Sequence, residues 1–445
     1  MGTTPIPDEA ALVPLGDRGT NRVRPAGYPT AATRGLLSWQ LGHRHETAVH
    51  PSLPSQSTRS LSVAGLFAGI GGLEHGLGLV GHRTEYLCEI WEPAREVLQA
   101  HFPEVAGDAD VVRLQSLPPV DVLTAGFPCT DLSQAGRTAG ILGIQSGLVS
   151  EVLRLLSVEQ SRRGPTWVVI ENVRNMLPLA GGAAMQFVVQ GLEDLGYRWA
   201  YRVVDSRSVG VPQRRQRVFL VASRDEDPRG VLFADEAGEP AEEEFRPDAF
   251  GFYWTEGLRG LGWARDAVPT LKGGSTIGIP SPPAIWAPGA RLGRRVVLPG
   301  IEDAEALQGF PRGWTAAVDG NRSVGTRWKL VGNAVTVGVA AWLGGRLGDP
   351  GEASLEETPL KDGARWPLAA WGERGRRFAV QASLWPVRRP YVHLTDLVAL
   401  ERAVPLSERA TLGFVRRLRL GGLKVAPREF HQDVVEHAGL YRASA

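Results

Sequence analysis

From residue 61 the chain alternates short apolar runs with amphipathic stretches. "LSVAGLF", "RTEYLCEI", "VDVLTAGF" and "TWVVIENV" are compact runs rich in β-branched and other apolar residues, and they predict strands. Between them, "GGLEHGLGLV", "PAREVLQAHF", "SGLVSEVLRLLSVEQS" and "AMQFVVQGLEDLGY" carry the spacing of helices with one buried face. "WAYRVVD" and "RVFLVAS" read as two further strands. Alternation of this kind predicts an α/β domain, doubly wound around a mainly parallel sheet.

The pattern stops on both sides of this region. Residues 1–58 are rich in Pro, Gly, Thr and Arg without periodicity, and predict a flexible N-terminal extension. Residues 59–223 form the α/β domain. Residues 224–300 lose the alternation, gain Gly, Pro and Trp, and predict a separate irregular domain. Residues 301–348, ending in "RWKLVGNAVTVGVAAWLGGRL", return to the first domain, and 349–445 stand as a C-terminal extension.

Folds of the predicted type bind ligands beyond the carboxyl ends of their strands. The candidate chemistry collects there. "LFAGIGG" is a Gly-rich strand-to-helix turn, the form that lets a ligand approach the backbone near a helix N-terminus. It has neither the GxGxxG spacing of a dinucleotide site nor the GxxxxGK of a phosphate loop. Glu89 ends the second strand, where an acid holds ribose hydroxyls, and Asp108 follows in "AGDAD", placed for an adenine amino group. Together they predict a nucleoside cofactor without an obligatory pyrophosphate. "GFPC" carries Cys129 from a strand into a loop, "IENV" carries Glu171 and Asn172, and "QRRQR" packs three arginines beside the last strand.

Composition narrows the setting. The chain has 445 residues, net charge +1 and two cysteines. That excludes a disulfide framework, and no Cys/His spacing suits zinc, so no metal site is expected. The thiols fit a reducing, cytoplasmic setting. Cys88, within an apolar run, reads as structural. No apolar run approaches the roughly 20 residues of a membrane-spanning helix, and "MGTTPIPDEA" does not read as a signal peptide. Charge is uneven along the chain. Arg224–Asp248 holds 10 acidic against 3 basic residues, which reads as a solvated face, whereas Arg365–Arg428 holds 13 basic against 4 acidic.

FAGIGG, GFPC with a following LSQAG, ENV, QRRxR, LQGFP and GNAV occur here in one order, between Ser62 and Leu347. In that order the sequence resembles the cytosine-5 DNA methyltransferases. The resemblance implies the Rossmann-like fold of S-adenosylmethionine-dependent methyltransferases with a small target-recognition domain. It implies S-adenosyl-L-methionine as cofactor, double-stranded DNA as partner and no membrane. It also implies a monomeric enzyme of a restriction-modification or phage-defence system, with partner proteins reached through the C-terminal extension.

Residue by residue, the resemblance makes Cys129 the nucleophile that adds to ring carbon 6 of a flipped cytosine. Glu171 becomes the acid at ring nitrogen 3. Arg215 and Arg217 support the pocket, the second at the base, and Asn172, Pro128 and Ser133 shape the active-site loop. Phe67, Ala68, Gly69, Gly71, Gly72, Glu89, Ile90, Asp108 and Asn333 match the cofactor pocket, Pro128 lying at its edge. Gln213, Arg259, Arg265 and Lys272, with Ser133, are candidates for DNA contact. Three positions depart from the family: Gly65 replaces the acid usual two residues before Phe67, Trp91 stands where many members have Asp, and Gln145 stands where Arg is common.

Two other readings share these motifs. One is a tRNA-methylating relative, and the other an inactive homologue that only binds nucleic acid. The intact Cys129, Glu171 and arginine motif speak against the second. The basic tail, with Trp385, Tyr391 and Phe414, is read as a DNA-binding, docking or stabilising segment. Its "FAVQASLWPV" has the pattern of a core strand.

Overall fold

The computed structural model describes residues 59–128, 147–159, 164–273, 282–320, 324–423 and 426–443. The N-terminal extension and the segment 129–146, with Cys129, Ser133 and Gln145, lie outside the described residues.

The predicted α/β domain is present. Strands β1 (Ser62–Leu66), β2 (Arg83–Cys88), β3 (Ala106–Asp108), β4 (Val122–Ala125) and β5 (Trp167–Val173) pair in parallel, in the order β3-β2-β1-β4-β5. β6 (Arg198–Asp205) and β8 (Gln216–Ser223) continue beyond β5 as antiparallel strands, with β8 between β5 and β6. The two-residue β7 (Gln213–Arg214) precedes β8. Helices α1 (Gly72–Leu79), α2 (Glu92–His101), α3 (Leu148–Val158) and α4 (Ala183–Asp194) connect the parallel strands and their neighbours. Central strands covered on both faces need apolar side chains on both. Val63, Ala64, Val122, Leu123, Val168 and Val169 are accordingly buried.

The irregular region also forms a sheet. Strands β9 (Phe250–Phe252), β10 (Ala264–Arg265), β12 (Ala284–Trp286) and β13 (Val296–Leu298) pair antiparallel. A short strand β11 (Val268–Pro269) pairs with β7 and ties this sheet to the catalytic half. The chain then returns through α5 (Ile301–Leu307), α6 (Val324–Asn333) and α7 (Val337–Gly348). Gly76 lets α1 and α7 meet closely, since a Cβ there would lie 2.5 Å from the Val337 carbonyl oxygen. By length and composition Gly325–Gly348 is apolar enough to cross a membrane, contrary to the sequence expectation, but 78% of its apolar window is buried within the fold. It is a core element interrupted between α6 and α7.

The C-terminal segment departs most from expectation. Rather than standing apart, it completes both sheets. Strands β14 (Glu357–Pro359), β15 (Ala369–Glu373) and β16 (Arg376–Val380) extend the first sheet to ten strands, β15 pairing with β6. Strand β17 (Val404–Pro405) adds a fifth strand beside β13, and α8 (Glu408–Gly421) and α9 (Arg428–Ala443) cover that sheet. Phe414 and Phe430 are buried against Phe252 at ring separations of 5.1 and 5.0 Å. Trp385 is buried against Phe245, and Tyr391 packs beside it. Phe414, Phe430 and Trp385 are core side chains, and Tyr391 is partly buried against the core. The acidic stretch is likewise only partly a solvated face. Asp235 binds Arg346, and Glu236 pairs with the fully buried Arg202 at 2.6 Å.

Candidate active site

The Gly-rich turn after β1 is shaped by backbone conformation. Phe67, Gly69 and Gly71 have φ of 55°, 57° and 79°, a left-handed region that glycine enters without cost and phenylalanine does not. Glu89 pins this turn from β2. One carboxylate oxygen accepts from the Gly69 N–H and the other from the Trp91 N–H, both at 2.8 Å. The Glu89 N–H donates to the Asp108 carbonyl at 3.2 Å, and the Tyr86 hydroxyl donates to the Asp108 carboxylate at 2.6 Å. The ends of β1, β2 and β3 thus form one rim carrying Glu89 and Asp108, the two acids expected to meet a nucleoside. Ile90 is 69% exposed on that rim, an apolar side chain held open beside two carboxylates. Lys329 on α6 lies 4.6 Å over the Trp91 ring. Asn333, at the end of α6, is exposed with its side-chain oxygen packed against Gly273.

The second cluster gathers where β4, β5 and β8 end. Asn172 donates its amide to the Phe127 carbonyl at 3.1 Å and accepts from the Val173 N–H at 2.9 Å. This fixes Gly126–Phe127–Pro128, the last described residues before Cys129, to the end of β5. Phe127 meets the Phe67 ring edge-on at 6.3 Å, joining the two clusters. A Cβ on Gly126 would lie 3.9 Å from Glu171 Oε2, so the Glu171 carboxyl borders the same stretch. Its Oε1 lies 3.2 Å from Arg217 Nε. Burial pushes the Glu171 pKa upward, while Arg217 and then Arg215 pull against it. Burial thus favours the protonated form of Glu171, and the two arginines favour the charged one.

Two expected residues are fully buried. Arg215 is fully buried, and its guanidinium donates to the carbonyls of Leu271, Gly332 and Ala334 at 3.2, 3.2 and 2.7 Å. It ties the "GNA" turn to Leu271, which follows β11. Gln213 was a candidate for DNA contact, but it is buried with its amide bound to Leu307, Gln308 and Leu271. Among the other candidates, Arg259 is exposed in a groove of about 580 Å³ beside Arg417. Arg265 is half-buried, and Lys272 is exposed but paired with Glu256 at 2.9 Å.

Sequence reasoning did not single out Arg174, and named Arg214 only as one of the three arginines of "QRRQR". Both line a cleft of about 460 Å³ with Gln216, Tyr253 and Thr270, where β7 meets β11. Arg214 lies inside the arginine motif, and strand alternation separates it from the buried Arg215. Arg174 follows directly on "ENV" and donates to Gln216 at 2.5 Å. Either could have been found by asking which arginine of each motif faces outward.

The chain is similar to known proteins of one family. Residues 61–246 match the family model of the C-5 cytosine-specific DNA methylases. The chain is 44% identical over 367 residues to the type II methyltransferase M2.BsuMI of Bacillus subtilis, covering 80% of this chain and 93% of that one. That match is longer than the whole stretch from Ser62 to Leu347. The type II methyltransferase M.MspI of Moraxella is 26% identical over 294 residues, 62% of this chain and 67% of its own. Among solved structures, the S. pombe Dnmt2 methyltransferase aligns with a TM-score of 0.47 and 15% identity, covering 65% of this chain and 98% of that one. On the strength of the M2.BsuMI match and the family model, the chain belongs to the C-5 cytosine-specific DNA methylases.

Proposed function

We propose that this protein methylates carbon 5 of cytosine within a specific double-stranded DNA sequence, using S-adenosylmethionine, as the modifying member of a restriction-modification or defence system. The observation that carries the residue assignments is the Glu171 carboxyl, buried beside Arg217 and bordering the Gly126–Pro128 stretch that leads into Cys129. Carbon 5 of cytosine is too weak a nucleophile to act unaided. The Cys129 thiolate adds to ring carbon 6 while ring nitrogen 3 takes a proton from Glu171, leaving an electron-rich carbon 5. The cofactor supplies an electrophilic methyl group when bound. Loss of the carbon-5 proton to a base then restores the ring and expels the thiolate.

The rim described above fits such a cofactor. Glu89 and Asp108 offer acceptors to a ribose and an adenine amino group, and Ile90 offers an apolar contact to the ring. In this reading Asn172 and Arg215 position the pocket walls, and Arg217 tunes the acid. The sheet built from 250–298, closed by β17, α8 and α9, selects the DNA sequence, with Arg259 at its exposed groove. The segment 349–445 then serves mainly to complete the fold. Expression in a host without cytosine methylation, followed by bisulfite sequencing, tests the reading: 5-methylcytosine should appear at one recurrent sequence context, and its absence would overturn the proposal.

A further inference from the structure

One carboxyl group near the cofactor rim has no part in the roles above. Glu74, in the first turn of α1, is 1% exposed. Its Oε1 accepts a hydrogen bond from Thr124 Oγ1 on β4 at 2.7 Å. Its Oε2 is buried and has no hydrogen-bond partner among the described residues. The carboxyl fills the space above Gly65: a Cβ there would overlap Oε1 and come within 2.9 Å of the carboxyl carbon.

This placement is unusual in energetic terms. A buried carboxylate is normally paired, and a buried polar atom normally has a partner. Among the described residues, the charged group that acts on Glu74 is Glu89, of the same sign. A group this costly is retained where a ligand completes it. Glu74 follows directly on the turn Phe67–Gly71, and both it and Thr124 lie near the carboxyl ends of the strands they pack on, where the fold receives its ligand.

We propose that Glu74 is the anionic partner of the ammonium group at the amino-acid end of the cofactor, supplied from α1 because Gly65 on β1 has no side chain. The assignment rests on the S-adenosylmethionine reading above. Glu74 is then a positioning residue for the cofactor, and it takes no part in the chemistry at the cytosine.

The test is calorimetric binding to the full chain of two nucleosides, S-adenosylhomocysteine, which carries the ammonium, and 5′-methylthioadenosine, which lacks the amino-acid portion. Glu74→Gln should weaken S-adenosylhomocysteine by roughly ten- to a hundredfold and leave methylthioadenosine within about twofold. Equal losses for both ligands, or none for either, would overturn the proposal. The swap Gly65→Asp with Glu74→Ser returns a carboxylate from the strand side, and decides the matter should Glu74→Gln not fold. It should recover the wild-type preference for S-adenosylhomocysteine, and a swap that binds the two ligands alike would count against the proposal. Wild type that binds neither nucleoside would overturn the cofactor reading itself, whereas wild type that binds while the Gln variant matches it removes only Glu74.

Discussion

Glu171 and Arg217 face each other across adjacent antiparallel strands, one step out of direct register. Glu171 pairs with Phe219 and Arg217 with Val173, so the two side chains meet diagonally on one face, 3.2 Å apart. Burial raises the affinity of Glu171 for a proton, and the arginine moderates that rise. The opposition keeps a proton donor available without making it inert.

Glu171→Gln keeps the shape and removes the exchangeable proton. Single-turnover methyl transfer should slow by roughly two to four powers of ten, with cofactor affinity nearly unchanged. Loss of cofactor binding at an intact chemical rate would assign Glu171 a different role.

Arg217→Gln should move the pH profile of the same step. Removing the cation lets burial act unopposed, so the Glu171 pKa rises further and the protonated acid persists to higher pH. The alkaline limb of the profile should therefore shift upward even though the maximal rate falls. A limb that stays in place would show that Glu171 is not the titrating acid.

Glu74 should leave a signature in stability. Burial, with a smaller push from Glu89, raises its pKa to about 6 from 4.5, against a lowering by Thr124 and its own backbone. The folded state thus binds the proton more tightly than the unfolded chain. Stability from this group is present below pH 4.5 and lost as pH rises through 6, about 2 kcal/mol in all. Glu74→Gln without cofactor should gain on wild type between those values and hold its advantage above pH 7. Denaturant titrations giving a constant difference from pH 4 to 8 would contradict this.

The C-terminal segment should prove inseparable from the fold. Truncation after Gly348 strips the edge of β6 and uncovers the second sheet, and should give insoluble protein. Phe414→Ala, a milder probe, should cost about 3–5 kcal/mol in denaturant unfolding. A soluble truncated enzyme with an unchanged melting temperature and a shallower salt dependence of DNA binding would instead make the segment an affinity module.

The half of the fold visible in the sequence is the half built from local signals. β1, β4 and β5 show as apolar runs because both faces are covered, and their loops hold residues whose spacing is fixed by the turn itself. β14 and β15 carry no such mark, and of β16 only "FAV" shows it. "ETP" is an exposed edge and "AAWGE" holds a glycine, and the pairing of β15 with β6 joins residues more than 150 positions apart. Within the site, motif order located Glu171 and Asn172 but could not separate Arg215, turned inward onto three carbonyls, from Arg214 and Arg217. Glu74 reads in sequence as an ordinary first-turn acid. Its burial, and the fit of its carboxyl into the space that a side chain on Gly65 would take, distinguish it.

The central claim is covalent attack by Cys129, and the most direct measurement is trapping on DNA that carries 5-fluorocytosine at the target site. Fluorine cannot leave as a proton does, so wild type with S-adenosylmethionine should form a stable protein–DNA adduct visible on a denaturing gel. Cys129→Ser should bind the same DNA and form none, because a hydroxyl is far less nucleophilic than a thiolate at neutral pH. An adduct that persists in the Ser variant, or wild type that methylates cytosine without ever being trapped, would contradict the account.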